Sequence, residues 1–305
     1  MIKILHAHTD IPSTNVWEGL LHSVLLDGIL ETLKILPFLF LTYLLMEFIE
    51  HKASEKSLSF LERSGTAGPA VGALLGVAPQ CAFSAVAANL YTGRVITLGT
   101  MLAVFISTSD EMLPILISSD VRVGAILLIL SYKLVGALIV GFGIDVIMRL
   151  TKRKREDINI DEICENDNCH CERGIFYSAL HHTLTVGLFI FIVMLLINTL
   201  VFFIGAERLG SIMDDIPVLS HILAALLGLV PGCAVSVALT TLGMQGIISA
   251  GTMIAGLCSS AGVGLLVLFR LNRHKTEILT VIGILLASGT LLGIIADLIG
   301  FSALL

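Results

Sequence analysis

The sequence predicts an all-α polytopic membrane protein made of two inverted repeats, each with about five transmembrane helices and Pro-broken or re-entrant helices at the centre. Three observations support this fold class. The chain has 305 residues, of which 56% are hydrophobic and only 14% charged, whereas soluble domains average about 25% charged residues. Residues 72–113 realign without a gap onto residues 224–265. Equivalent loops of the two copies also differ in the sign of their charge.

The realignment has a constant shift of 152 positions, which sets Pro79 against Pro231 and Cys81 against Cys233. The same shift pairs Asp145 with Asp297. An apolar chain that duplicates itself is typical of a secondary transporter, whose substrate site lies where the halves meet.

Four long apolar stretches, residues 20–48, 123–148, 175–204 and 278–301, each reach the roughly 20 residues that a helix needs to cross a bilayer. Between them lie two regions of about fifty residues, 66–118 and 218–269, which are rich in small residues and interrupted by prolines. The charged stretch 151–173 divides the chain. It separates a first membrane repeat, 1–150, from a second, 174–305.

Loop charge indicates the orientation. The linker opens with Lys-Arg-Lys-Arg at 152–155, which places it in the cytoplasm because cytoplasmic loops are rich in Lys and Arg. The loop after the first apolar stretch is basic, but its partner at 206–215 is acidic. Each fifty-residue region must therefore cross an odd number of times, as three short or broken crossings. This predicts ten crossings, inverted halves, both termini outside, and location in the bacterial cytoplasmic membrane.

The proline breaks are candidate site elements. Pro79 removes an internal hydrogen bond and frees carbonyl groups, which lipid tolerates only beside protein or a polar cavity. Polar residues after the two breaks are predicted to line such a cavity: Gln80, Cys81, Ser84 and Asn89 in the first copy, and Cys233 and Ser236 in the second. The alternative is a pair of kinked helices packed through small residues.

An acidic pair is the sharpest chemical signal. Asp110 and Glu111 follow Ser109 inside an apolar run, and a carboxylate at the centre of a membrane helix costs about 2.5–3.5 kcal/mol. These residues are therefore predicted to face a cation pathway, with a position at the membrane surface as the alternative. Lys133 and Asp145 lie twelve positions apart on one predicted helix, so each needs a partner elsewhere.

A further set of titratable residues lies on the flanking stretches. Asp27 and Glu31 fall on one helix face, and His182, next to His181, occupies the matching place in the second half. Carboxylates and imidazoles could relay protons or hold a divalent metal. The alternative is a self-neutralised stripe at the membrane interface.

The linker contains a cluster of soft ligands, Cys164, Cys169, His170 and Cys171. Three thiols and an imidazole could bind a soft metal. However, the spacing is not that of a folded zinc module.

The strings GVAPQCAFSAVAANLYTGRVITLGT, ISTSDEMLP, LVPGCAVSVALTTL and GLCSSAGVG resemble a bacterial family of ten-transmembrane heavy-metal exporters. Its members are also labelled arsenic efflux proteins or manganese transporters. The resemblance runs over nearly the whole chain and implies metal export, a ten-span fold and no cofactor. The linker cysteines lie outside the resembling strings.

The ligand types favour Mn²⁺ as substrate, because hard cations prefer carboxylate, carbonyl and hydroxyl oxygens. Alternating access is the expected mechanism, with Asp110 and Glu111 neutralising the cation. Arsenical efflux through the membrane thiols Cys81, Cys233 and Cys258 is the alternative.

Other function classes fit less well. One is a membrane-embedded hydrolase that uses His181, His182 and Asp27, but the sequence has no HExxH motif and no nucleophile elbow. The sequence also has no phosphate-binding loop, so ATP-driven transport is not predicted. A plain channel is a further alternative. The expected partners are the metal ion and the lipid bilayer, not nucleic acid, and a homo-oligomer is possible.

Overall fold

The computed structural model describes residues 29–30, 32–33, 36–37, 39–41, 43–44, 67–77, 82–109, 112–118, 121–151, 175–204, 217–231, 233–272 and 275–301. Within these ranges the regular structure is helical and contains no strand. The all-α prediction is therefore confirmed for the described part of the chain.

After helical residues between 29 and 44, the first half contains α1 (Gly68–Gly76), α2 (Ala82–Thr92), α3 (Leu98–Ser107), α4 (Met112–Ser118) and α5 (Val123–Leu150). The second half contains α6 (Ile175–Ile204), α7 (Pro217–Gly228), α8 (Cys233–Met244), α9 (Ala250–Ser259), α10 (Val263–Leu271) and α11 (Lys275–Ile299). Both ends of α9 lie 152 positions after the corresponding ends of α3, so the helix boundaries repeat with the sequence shift.

Three helical stretches of the described chain are long and apolar enough to cross a membrane: Val123–Leu150, Ala250–Leu271 and Lys275–Ile299. The second runs through the interruption between α9 and α10. Large apolar side chains such as Ile139, Leu279 and Leu298 are exposed on α5 and α11, and a lipid environment would cover them. These helices fit a polytopic membrane protein.

A buried carboxylate fastens α5 to the start of α3. Asp145 Oδ1 accepts a hydrogen bond from the Gly99 backbone N–H at 2.9 Å, and Oδ2 accepts one from the Thr97 hydroxyl at 2.7 Å. Thr97 is the N-cap of α3, and its hydroxyl also accepts from Thr100 N–H. A carboxylate at this position is favourable because the helix N-terminus has unpaired N–H groups and partial positive charge. The sequence predicted that Asp145 needs a partner elsewhere, and these two donors provide it.

The second half repeats this carboxylate contact. Asp297 Oδ1 accepts from Gly251 N–H at 2.7 Å, and Oδ2 accepts from the hydroxyl of Ser249, the N-cap of α9, at 2.6 Å. All three residues follow their first-half equivalents by 152 positions. Duplication has therefore preserved contacts as well as sequence.

The direction of α1 is given by its packing on α3. Gly68 lies against Thr100, and Gly76 lies against Val104 and Ser107. The two helices therefore run parallel. Since α2 joins the end of α1 to the start of α3, it must run back in the opposite direction. We call α1 and α2 the first returning pair.

The second half contains an equivalent pair, α7 and α8. The Ser220 hydroxyl lies 3.3 Å from that of Thr252, and Gly228 lies against Gly256 and Ser259. Helix α7 is therefore parallel to α9, and α8 returns. These two helices form the second returning pair.

The two halves pack against each other through these pairs. Helix α2 packs on α10, with Gly264 lying against the carbonyl of Ser84 and the ring of Phe105. Helix α8 contacts α4, and α9 contacts α3. One buried apolar cluster includes residues from both halves, so the interface is part of a shared core.

A polar cluster joins the halves at the far end of α2. The Arg94 guanidinium pairs with both carboxylate oxygens of Glu277 at 3.2 and 3.3 Å. Tyr91 and Asn272 also donate to Glu277, at 3.3 and 3.0 Å. Arg94 has a φ of 60°, and the equivalent residue of the second half is Gly246, with a φ of 70°. Arginine occupies a left-handed position that favours glycine, where it forms a contact that glycine could not.

Candidate substrate site at the helix interruptions

Two helical segments are interrupted at equivalent places. Helix α3 ends at Ser107 and the chain is helical again from Met112. Helix α9 ends at Ser259, and α10 begins after Gly262, whose φ of 51° lies in the left-handed region. The last carbonyl groups of a helix lack internal donors and carry partial negative charge. Both interruptions therefore present oxygen atoms that suit a cation.

Lys133 connects the two interruptions. Its side chain is 1% exposed, and Nζ donates to the carbonyl of Thr108, the C-cap of α3, and to the carbonyl of Leu257 in the last turn of α9 at 3.3 Å. The second-half equivalent of Lys133 is Leu285, which is fully buried. The centre of the molecule is therefore electrostatically asymmetric although its helices are duplicated.

Buried hydroxyls surround the interruptions. Each donates to a backbone carbonyl: Ser107 to Ala103 at 2.8 Å, Thr108 to Val104 at 2.6 Å, Ser109 to Ser107 at 3.1 Å and Ser259 to Ala225 at 2.7 Å. A hydroxyl that donates in this way keeps lone pairs that can accept a hydrogen bond or bind a cation. Their shared chemistry is that of hard oxygen ligands.

Asn89 on α2 is an unusual polar residue. It is fully buried, and within the described residues neither Nδ2 nor Oδ1 of its side chain has a hydrogen-bond partner. Leaving such a group unsatisfied costs about 1–3 kcal/mol. A buried amide of this kind requires an explanation, and coordination of an ion or a polar ligand is one of the few available.

The structure describes the side chains of four of the predicted ligand residues, three on the returning pairs and one beside the first interruption. Ser84 and Asn89 are buried on α2, Ser109 is 1% exposed beside the first interruption, and Ser236 is half-buried on α8. Cys233 begins α8, but its side chain lies outside the described part, as do residues Gln80, Cys81, Asp110 and Glu111. Ser84 and Ser236 are equivalent under the repeat, so the returning pairs contribute matching hydroxyls.

The remaining predicted residues are only partly described. His181 lies exposed on α6, and the backbone of His182 comes next, but the side chain of His182 is outside the described set. Asp27 and Glu31 also fall outside, together with the linker residues Cys164, Cys169, His170 and Cys171. Among the residues that are described, no group of three or more His, Cys, Asp or Glu side chains could hold a metal ion.

Sequence reasoning missed a buried histidine. His221 on α7 is 5% exposed, and its Nε2 lies 3.0 Å from Oδ2 of Asp297. The first-half equivalent of His221 is Pro69, so this histidine–aspartate pair occurs in one half only. A lone histidine inside an apolar segment is the signal that could have identified it, because ionisable residues in such segments need partners.

Comparison with known proteins identifies the family of the chain. The model of the family described as "Putative, 10TM heavy-metal exporter" matches residues 22–203, more than half of the chain. The chain belongs to this family. No curated protein and no solved structure matches the chain significantly. The exporter match includes α1–α5 with Asn89 and Lys133, and it confirms the resemblance seen in the sequence. Family and apolar helices together indicate a multi-pass membrane protein of a heavy-metal exporter family.

Proposed function

We propose that this protein exports a divalent metal cation, with Mn²⁺ as the favoured substrate, across the bacterial cytoplasmic membrane. The observation that carries the proposal is the fully buried Asn89 carboxamide, which finds no partner among the described residues. Its oxygen is a hard ligand of the kind that Mn²⁺ accepts. The buried hydroxyls and the carbonyl ends of α3 and α9 offer more of the same chemistry.

The negative charge of the site is assigned to Asp110 and Glu111. The residues on either side of this pair, Ser109 and Met112, are each 1% exposed, which favours an internal position over the membrane surface. Residues proposed to ligate or orient the cation are Ser109, Gln80, Ser84, Asn89 and Ser236. Carboxylates beside hydroxyl and amide oxygens suit a hard divalent cation better than they suit a neutral arsenical.

We propose further that the two halves are inverted. Helix α10 runs parallel to α2, because Gly264 lies against Ser84 near their starts while Tyr91 and Asn272 meet on Glu277 near their ends. Helix α2 runs opposite to α3, so α10 does too. Since α9 and α10 form one apolar stretch, α9 would run opposite to its own equivalent, α3.

In this arrangement each returning pair enters and leaves the membrane on one side. Helices α1 and α2 have 9 and 11 residues, about half the length that a crossing requires. Counting both members of each pair, every half has about five membrane segments, of which two re-enter and about three cross, so this proposal replaces the ten predicted crossings with about six crossings and four re-entrant segments. The two tips would approach the interruptions from opposite sides. A cation between them could be exposed to one side at a time, which is alternating access.

The transport assay is Mn²⁺ flux into or out of proteoliposomes containing the purified protein. Asn89→Leu replaces the buried amide with an apolar group of the same branched shape, and transport should fall at least about tenfold. The matched control is Thr183→Val, because Thr183 is also buried but its hydroxyl is satisfied by the Ala179 carbonyl at 2.7 Å. Asp110→Asn should abolish flux. Wild-type Mn²⁺ flux in both Asn89→Leu and Asp110→Asn would refute the proposal.

Arsenical efflux is the second candidate, because Cys258 is a free thiol fully buried on α9 next to the second interruption. Together with Cys81 and Cys233 it would supply three thiolates for trivalent arsenic. Replacing Cys81 and Cys233 with Ser separates the candidates. Lost arsenite resistance with intact Mn²⁺ flux would favour the arsenical.

A further inference from the structure

We infer that Lys133 is a tethered cation that competes with the cargo metal for the carbonyl oxygens at the two helix interruptions. The inference rests on the proposed function and extends it. It assigns to Lys133 the role of weakening metal binding so that the cargo is released.

The ammonium group of Lys133 lies among carbonyl oxygens at the ends of two helices. Nζ donates to the carbonyls of Thr108 and Leu257, which belong to the C-terminal ends of α3 and α9. Helix C-termini attract positive charge, so these oxygens form a cation-binding environment that includes residues of both halves. A metal ion of hard-ligand chemistry would seek the same oxygens.

The second observation is that the equivalent helix of the other half packs with an apolar residue at this position. At the equivalent position of α11 the residue is Leu285, fully buried, and α11 packs on α9 as α5 packs on α3. A buried charge is costly to the fold. Retention of Lys133 at an apolar position therefore points to a use for its charge.

The consequence for transport comes from electrostatics. An ammonium group and a divalent cation repel each other strongly in a poorly solvated site, so a bound metal must displace Nζ from its carbonyls. Without the ammonium the metal should bind more tightly and leave more slowly. Lys133 would then act as a positioning residue that lowers the affinity for the metal and raises the rate of its release.

The test measures Mn²⁺ binding to the purified full-length protein by calorimetry, together with flux in proteoliposomes. Lys133→Leu copies the residue of the second half and should lower the dissociation constant at least about tenfold. The KM for flux should fall with it, and the maximal flux should also fall. Lys133→Arg keeps the charge and should bind Mn²⁺ with nearly wild-type affinity.

A purely structural lysine would give a different result: Lys133→Leu would bind Mn²⁺ no more tightly than the wild type, and this overturns the inference. Lys133→Met and Lys133→Gln provide the same measurement if Lys133→Leu does not elute as a single species. Failure of every neutral variant to fold would also assign Lys133 to the scaffold. A wild-type protein without saturable Mn²⁺ binding overturns the proposed function itself.

Discussion

The carboxylate of Asp145 offers a direct test of which buried charges hold the fold and which serve transport. Asp145 is 7% exposed, and its two oxygens accept from the Gly99 N–H and the Thr97 hydroxyl. Asp145→Asn keeps the shape but replaces one acceptor oxygen with a donor. We expect this variant to lose stability while keeping its affinity for Mn²⁺.

The magnitude is set by the contacts that Asp145→Asn removes. A hydrogen bond to a charged group contributes about 1.5–3 kcal/mol, and at least one of the two is lost. The carboxylate also interacts favourably with the N-terminus of α3, which adds about 0.3–1 kcal/mol. The expected loss in the free energy of unfolding is therefore roughly 2–4 kcal/mol.

The assay is reversible denaturation of the purified protein in detergent, with Mn²⁺ binding measured on the same preparation. Thr97→Val removes one of the two donors, so the double variant Asp145→Asn/Thr97→Val should lose less stability than the two single variants added together. Asp297→Asn is the second-half equivalent and should behave alike. If Asp145→Asn has wild-type stability but no longer transports Mn²⁺, the assignment of Asp145 to the scaffold is wrong.

Two further predictions concern packing and the contact between the halves. Gly76→Ala should destabilise the protein by about 1–3 kcal/mol, because a Cβ would collide with Ser107 and the Val104 carbonyl; Gly143→Ala, with nothing within 4 Å, is the control and should be neutral or stabilising in thermal unfolding. For the partly buried Arg94–Glu277 pair, a double-mutant cycle of Arg94→Ala and Glu277→Gln should give a coupling of about 1 kcal/mol. A coupling near zero would show that the pair does not hold the halves together.

Part of this fold could be predicted from the sequence because duplication leaves a visible shift. The alignment paired Asp145 with Asp297, and the sequence indicated that Asp145 needs a partner outside its own helix, but it did not identify the partners. Those partners, Thr97 and Gly99, lie almost fifty residues away along the chain. Contacts over such distances depend on how α3 and α5 pack, and local residue pattern does not contain that information.

The path of the returning pairs was harder to predict for a different physical reason. An apolar segment with a proline break has the same composition whether the chain continues straight on or turns back. Only the contacts of Gly68 and Gly76 along α3 reveal that α1 is parallel to α3 and that α2 must return. The sequence prediction of broken or re-entrant helices at the centre included both alternatives, and hydropathy could not choose between them.

Contacts that fasten the helices are repeated in both halves, whereas several residues proposed to act on the cation occur in one half only. The contacts of Asp145 and Asp297 are of the repeated kind. The charged and amide groups of the first half are not repeated: Lys133 corresponds to Leu285, and Asn89 corresponds to Thr241. The acidic pair at 110–111 likewise has no acidic counterpart at 262–263. Under the proposed alternating access, a duplicated frame would supply two ways of packing of similar energy, whereas a cation needs only one set of charges. The proposed ion chemistry can therefore be concentrated in unrepeated first-half residues such as Lys133 and Asn89 without disturbing the frame, and substitutions of those residues should alter ion affinity more than stability.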